Sequence, residues 1–188
     1  EDSTDVSIML VSASSDFIQD GDTPISRVPT SSDELEPYDV VIIGDVDPSS
    51  IPPVTQELIR SHVEHGAGLV WIGGPKAVPV NWSQSPLQDL LPMLNPSAVV
   101  PRGQRSWMQP TDEATRSGTL VLGDTDAWPA DLEPGLHRWS ALEYTQDIPD
   151  ATLKPGVHVL ARAHTRAGDD QPVVMTMPFG LGQVMYVA

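Results

Sequence analysis

The sequence predicts an α/β protein with a mainly parallel sheet and an antiparallel, loop-rich C-terminal part, and three observations carry that expectation. Residues 38–44 (YDVVIIG) and 68–72 (GLVWI) are short, continuous apolar runs, the pattern of strands buried on both faces of a parallel sheet. Between them Val54, Leu58, Ile59 and Val63 recur at helical spacing, after Pro52-Pro53 at the start and before Gly66 as a left-handed stop. Beyond residue 98 the chain breaks into short extended pieces punctuated by Pro and Gly, which favours hairpins.

The remaining elements follow in order. Residues 6–11 (VSIMLV) read as a short buried strand, with turn chemistry at Asp20-Gly21-Asp22 and no helix in between. The strand–helix–strand unit of residues 38–72 brings both strand ends to one edge of the sheet, where open α/β sheets bind ligands. The loops 44–50 and 73–82 are therefore expected to face each other there. Ser85 and Pro86 suit the start of a further helix carrying Leu87, Leu90, Leu91 and Leu94, bent or ended by Pro92. Residues 157–163, 172–177 and 183–188 read as strands, the first two joined by a hairpin around Gly168-Asp169-Asp170.

Composition removes whole classes of function. The 188 residues carry 10 Lys plus Arg against 26 Asp plus Glu, a net charge of −16. Such a chain repels nucleic acid and anionic membrane surfaces, and it has no basic stripe to offset this. Twelve of the acids and one base, Arg27, fall within residues 1–47. No apolar run reaches the roughly 20 residues of a membrane span, so direct insertion by this segment is not expected. With no cysteine there is no disulfide, thiolate metal site or cysteine nucleophile. No cofactor motif is present.

Candidate binding residues gather at the expected sheet edge: Asp45, Asp47, Gly73, Gly74, Lys76 and Trp82. An Asp-x-Asp after a buried strand is how phosphatases of the haloacid dehalogenase type hold Mg²⁺, but the partner lysine and acidic motif are missing here. A structural role predicts that Asp45 accepts loop N–H bonds and that Asp47 starts an Asx turn before Pro48. His62 and His65 can share a helix face, yet HVEH is not a zinc protease motif, and histidine is favoured in a last helical turn in any case. Gly73-Gly74-Pro75-Lys76 lacks the frame of a phosphate loop. Trp82, in a polar loop, is the tryptophan expected to contact a ligand or partner.

The run YDVVIIGDVDPSSIPPVTQELIRSHVEHGAGLVWIGGPKAV, followed by SPLQDLLPM and by LKPGVHVLARAHTRAGDDQPVVMTMPFGLGQVMYVA, resembles the glutamine amidotransferase-like domains of large membrane-anchored bacterial proteins, especially of planctomycetes. The resemblance implies a flavodoxin-like, class I glutamine amidotransferase-like three-layer fold. It also implies a single domain over residues 1–188, cut from a longer chain and lacking the first β-α unit and a C-terminal tail. The parent would be membrane-anchored, with the extracytoplasmic side slightly favoured. A working member places a cysteine on the tight turn after the strand and a His-Glu pair later; here the turn is Gly73-Gly74 and no such pair follows.

The expected function is thus a non-catalytic, amidotransferase-like domain, a pseudoenzyme serving as a ligand-binding or protein-interaction module. Its partners would be proteins or other domains of the same chain. The alternative is a metal-dependent hydrolase using Asp45 and Asp47; a spacer without any ligand is a third possibility.

Overall fold

The computed structural model describes residues 4–11, 21–23, 25–96, 106–120, 142, 145–165 and 170–188. Six strands, Val40–Ile43 (β1), Gly68–Ile72 (β2), Ser106–Pro110 (β3), His158–Thr165 (β4), Asp170–Phe179 (β5) and Gly182–Val187 (β6), form one open sheet in the order β1-β2-β6-β5-β4-β3. Three helices are described: Ser32–Leu35 (α1), Pro53–Glu64 (α2) and Asp112–Ser117 (α3).

The mixed α/β class is as expected; the mainly parallel sheet is not. Only β1, β2 and β6 run parallel, whereas β6 with β5, β5 with β4 and β4 with β3 are antiparallel. The reason lies in the connections. Parallel neighbours need a long crossover, which α2 supplies between β1 and β2, while tight turns such as the one between β5 and β6 reverse the chain. A mostly parallel, flavodoxin-like three-layer arrangement is therefore not what this chain forms.

Register fixes which residues share a face. Leu69 and Trp71 of β2 lie beside Val184 and Tyr186 of β6, and these beside Met177 and Met175 of β5. All are buried in one apolar cluster with Ile43, with Ile59 and Val63 of α2, and with Leu87, Leu90 and Leu91. Ala114 of α3 anchors a second cluster with Ala161, Val174 and the partly buried Met185 and Val187, on the opposite face. Burial of the larger of these side chains, Val, Leu, Ile and Met, contributes roughly 1.5–3 kcal/mol each and drives the layering.

Several elements depart from the periodicity in instructive ways. On α2 the buried residues are Thr55, Gln56, Ile59 and Val63, while Val54 is exposed. The phase is set by polar service: Thr55 Oγ1 donates to the Pro29 carbonyl, and Gln56 Nε2 donates to those of Pro48 and Ile51. The stretch from Ser85 makes no α-helix; Ser85 Oγ caps the Leu87 amide, but a single 3₁₀ turn at Gln88–Leu90 follows. Leu87, Leu90 and Leu91 are buried all the same, and Leu94 is exposed. Pro92 denies the next turn a donor, so the leucines reach the core from a tighter coil.

α3 lies where extended pieces were expected, although its caps are written in the sequence. Thr111 Oγ1 accepts from the Ala114 amide, Asp112 and Glu113 occupy the first turn, and Gly118 ends it at φ 68°. The Thr111 hydroxyl also donates to the Val159 carbonyl of β4, which docks the helix.

β1 was expected to be covered on both faces, but only one is. Val40 and Ile42 are exposed, Val41 is half-buried and Ile43 buried. Residues 6–11, expected as a buried strand, make only an isolated antiparallel bridge from Ser7 to Gly21. Their expected turn lies partly outside the described residues, as does the hairpin expected around Gly168-Asp169-Asp170.

Near the start of α1, Glu34 accepts two bonds from the Arg27 guanidinium and one from the Thr30 amide. Arg27 first, then Thr30, hold the Glu34 carboxyl down to about 2 from its ordinary 4.5. A depressed carboxyl stabilises the fold above its unfolded value and loses that contribution as pH falls through the folded value. Carbon-detected NMR titration is expected to show Glu34 protonating near pH 2, and Arg27→Ala to return the midpoint toward 4.5.

Candidate functional site

The carboxyl ends of β1, β2 and β6 lie at one edge of the sheet, because all three run parallel. The loops after β1 and β2 meet there, as the sequence led one to expect. What joins them is a carboxylate. Asp45 Oδ1 accepts from the Ala77 and Val78 amides at 2.7 and 2.9 Å, and Oδ2 accepts from the Lys76 amide at 2.9 Å. Lys76 is otherwise exposed.

Asp47 works one loop position further on. Its Oδ1 accepts from the Ser49 hydroxyl and amide, and its Oδ2 from the Asn81 side-chain amide at 2.8 Å. The Ser49 hydroxyl, then the Ser49 amide, then Asn81 lower the Asp47 carboxyl from its ordinary value. Between the two aspartates, the Val46 carbonyl receives the Trp82 indole N–H at 2.9 Å. Trp82 is 0% exposed and packs edge-on against Trp71, with ring centroids 5.0 Å apart. It is a packing anchor inside the protein, since its polar edge is satisfied internally and its rings are covered.

Beneath the loops lies a short polar chain that sequence reading missed. The Tyr186 hydroxyl donates to Gln146 Oε1, and Gln146 Nε2 donates to the carbonyls of Gly74 and Val78 at 3.2 and 2.7 Å. Burial pushes the Tyr186 phenol well above its ordinary range, and the Asp45 charge adds to this, so the hydroxyl stays a neutral donor. No local pattern marks Gln146, which is buried by contacts more than sixty residues away in sequence. Gly73 and Gly74 now have their own reason. A Cβ on Gly73 would lie 2.8 Å from the Tyr186 hydroxyl and 2.9 Å from Gln146 Oε1, and one on Gly74 would run into the Asp45 carboxylate.

Chemically, this edge is a clamp. Three N–H dipoles point their positive ends at Asp45, the opposite of the field a cation ligand needs. Among the described residues, no group of three or more His, Asp or Glu side chains is placed to hold a metal. The histidines of α2 are likewise occupied: His62 Nε2 pairs with the Tyr38 carbonyl at 2.7 Å and His65 Nδ1 with that of Ser61 at 2.7 Å.

The open surface lies elsewhere, on the outer face of β1 and β2. Val40, Ile42 and Ile72 are 50%, 63% and 46% exposed. Register sets Val40 beside Gly68 and Ile42 beside Val70, so these side chains form one continuous apolar strip. Exposed Glu36 and Asp39 precede β1 in the chain.

No protein-family model matches the chain, and neither does any curated protein sequence. Among solved structures it resembles the cytoplasmic protein STM1381 from Salmonella typhimurium LT2, at 21% identity and a TM-score of 0.58, over 86% of this chain and 64% of that one. It also resembles the cytoplasmic protein STM3548 from Salmonella typhimurium, at 18% identity and a TM-score of 0.58, over 85% and 63%. A β-galactosidase from Bacillus circulans sp. alkalophilus matches at 19% identity and a TM-score of 0.47, over 82% of this chain and 20% of that one.

At these identities the shared property is the fold. The chain spans less than two thirds of the length of either Salmonella protein. These neighbours stand in place of the expected glutamine amidotransferase-like domains, so that resemblance is corrected, and the idea of a pseudoenzyme that lost its nucleophile goes with it. Gly73-Gly74 is a packing requirement of the clamp. No helix among the described residues is long and apolar enough to cross a membrane. The cytoplasmic descriptions of the two Salmonella proteins give no support to an extracytoplasmic side.

Asp45→Ala is expected to lower the unfolding free energy by about 2–4 kcal/mol, because it strands amides that now bond a charge. Denaturant melts check this, and a smaller loss for Asp45→Asn would show that hydrogen bonding carries part of the effect. Calorimetric titration with Mg²⁺, Mn²⁺ or Ca²⁺ is expected to give the same trace for the wild-type chain and Asp47→Ala. Heat lost on that substitution would revive the metal site.

Proposed function

We propose that the chain is a non-catalytic protein-interaction module whose docking surface is the outer face of β1 and β2. The observation that carries this is the strip of Val40, Ile42 and Ile72, large apolar side chains left about half exposed on the edge strand β1 and its neighbour β2. A sheet face of this kind is stabilised by a packed second layer. α3, only six residues long, packs on β3 and β4 and leaves β1 and β2 open.

The fitting occupant is an amphipathic helix of a protein partner, apolar on one side and carrying Lys or Arg at its margins. Shape calls for the helix, since a helix laid on a sheet buries a continuous stripe. Charge calls for the basic margins: the net charge is −16, and exposed Glu36 and Asp39 lead directly into the strip. Arg27, the one base among the first 47 residues, is already paired with Glu34.

The clamp supports the same function by being rigid. Its carboxylates and indole are spent on holding the two loops together, which fixes the β1–β2 pair as a platform. Acidic margins would also reject a second copy of the chain by like-charge repulsion.

A synthetic helical peptide with leucines on one side and lysines at its margins is the probe. Ile42→Asp is expected to weaken its binding at least tenfold by fluorescence anisotropy and to leave the melting temperature within a few degrees, because Ile42 is mostly exposed. Equal affinity for the variant would overturn the assignment. So would self-association of the wild-type chain in sedimentation, lost in Ile42→Asp, which would make a second copy the occupant.

A further inference from the structure

Residues 6–11 remain unexplained by the docking face. Their side chains alternate: Val6, Ile8 and Leu10 are exposed, while Ser7, Met9 and Val11 are half-buried. β1 alternates in the same sense, with Val40 and Ile42 out and Val41 and Ile43 in. The segment is thus already extended and phased like a strand. Beside it lies an apolar groove of about 200 Å³, lined by Ser7, Met9 and Val11, by β1, and by Leu35, Ile51 and Ile59 from the helical side.

The backbone directions agree. Val6 is held on its far side, where its carbonyl accepts from the Asp22 amide at 2.8 Å and its amide donates to Asp22 Oδ2 at 2.9 Å. Because successive residues of a strand turn their polar groups to opposite edges, Ser7, Met9 and Val11 turn theirs toward β1. On β1, the Asp39 carbonyl accepts from the Gly68 amide, so Asp39, Val41 and Ile43 address β2. The N–H and C=O groups of Val40 and Ile42 therefore address the groove. Such an edge is costly when left open beside apolar walls.

One contact anchors the start of the segment. The Tyr38 hydroxyl reaches Ser7 Oγ at 3.3 Å, which sets the start of the segment beside the start of β1. Running the same way places Ser7 level with Asp39, Met9 with Val41 and Val11 with Ile43. That register sets Met9 and Val11 on the same face as Val41 and Ile43.

We propose that residues 6–11 form a strap that closes onto β1 as a seventh strand, parallel to it, with the Met9 amide donating to the Val40 carbonyl and the Ile42 amide donating to the Met9 carbonyl. Closure seals the sheet edge and adds Val6, Ile8 and Leu10 to the apolar strip of Val40 and Ile42. The docking face is then wider with the strap shut than with it open, so closure regulates how much of that face a partner meets. The strap stands or falls independently of the partner.

The test is amide hydrogen exchange of the full chain followed by NMR, with Met9→Pro and Leu10→Pro as variants. Proline at position 9 removes the donor to Val40, while proline at position 10 removes an N–H that faces the other way. Slowed exchange of Ile42 in the wild-type chain, at least tenfold faster in Met9→Pro and little changed in Leu10→Pro, is the expected result. Exchange of Ile42 at the same rate in the wild-type chain and Met9→Pro would overturn the strap. In the unsubstituted chain, a backbone Overhauser contact between Met9 and Val41 is expected, and its absence overturns the register even where a variant fails to fold. Peptide binding to the outer face is scored separately, so loss of one result leaves the other readable.

Discussion

The Asp45 carboxylate is the interaction on which the rest of this structure depends. Two loops that leave adjacent parallel strands share no backbone ladder, and their only bond network runs through side chains. One charge accepting three consecutive amides at residues 76–78 orders the second loop against the first. That ordering places Trp82 under the Val46 carbonyl and gives Gln146 two carbonyls to bind. It also dictates glycine at 73 and 74, where a side chain would occupy the space of the clamp.

The carboxyl edge of an open α/β sheet is where ligand chemistry usually sits, yet here its acidic groups already serve backbone donors. The same two strands, β1 and β2, carry the apolar outer face proposed as the docking surface. The hydrogen-bonded polar edge and the exposed apolar face thus belong to one pair of strands.

Much of the first 75 residues was legible because the signals are local. The continuous apolar runs of β1 and β2, the prolines that open α2 and Gly66 that closes it each act over a few residues. So did the pairing of the two loops, and the Asx turn of Asp47 over Pro48 and Ser49. α3 was legible as well, through Thr111, Asp112, Glu113 and Gly118, but was overshadowed by the surrounding Pro and Gly. The helix expected after Ser85 failed for a comparable reason: four leucines suggested a stripe, and Pro92 with tertiary burial drew three of them inward from a 3₁₀ turn.

The sequence by itself determined β1, α2, β2 and the three C-terminal strands, the acidic character, and the absence of any cysteine, because periodicity, charge and residue inventory need no partner. Only the tertiary structure decided the strand order, the burial of Trp82 and the role of Gln146. It also decided that one face of β1 stays bare. Each of these rests on contacts between residues far apart in the chain: β6 returns between β2 and β5, and Gln146 spans 68 residues to reach Val78. A residue's neighbours across such distances are set by how whole elements pack, and no window of sequence contains them.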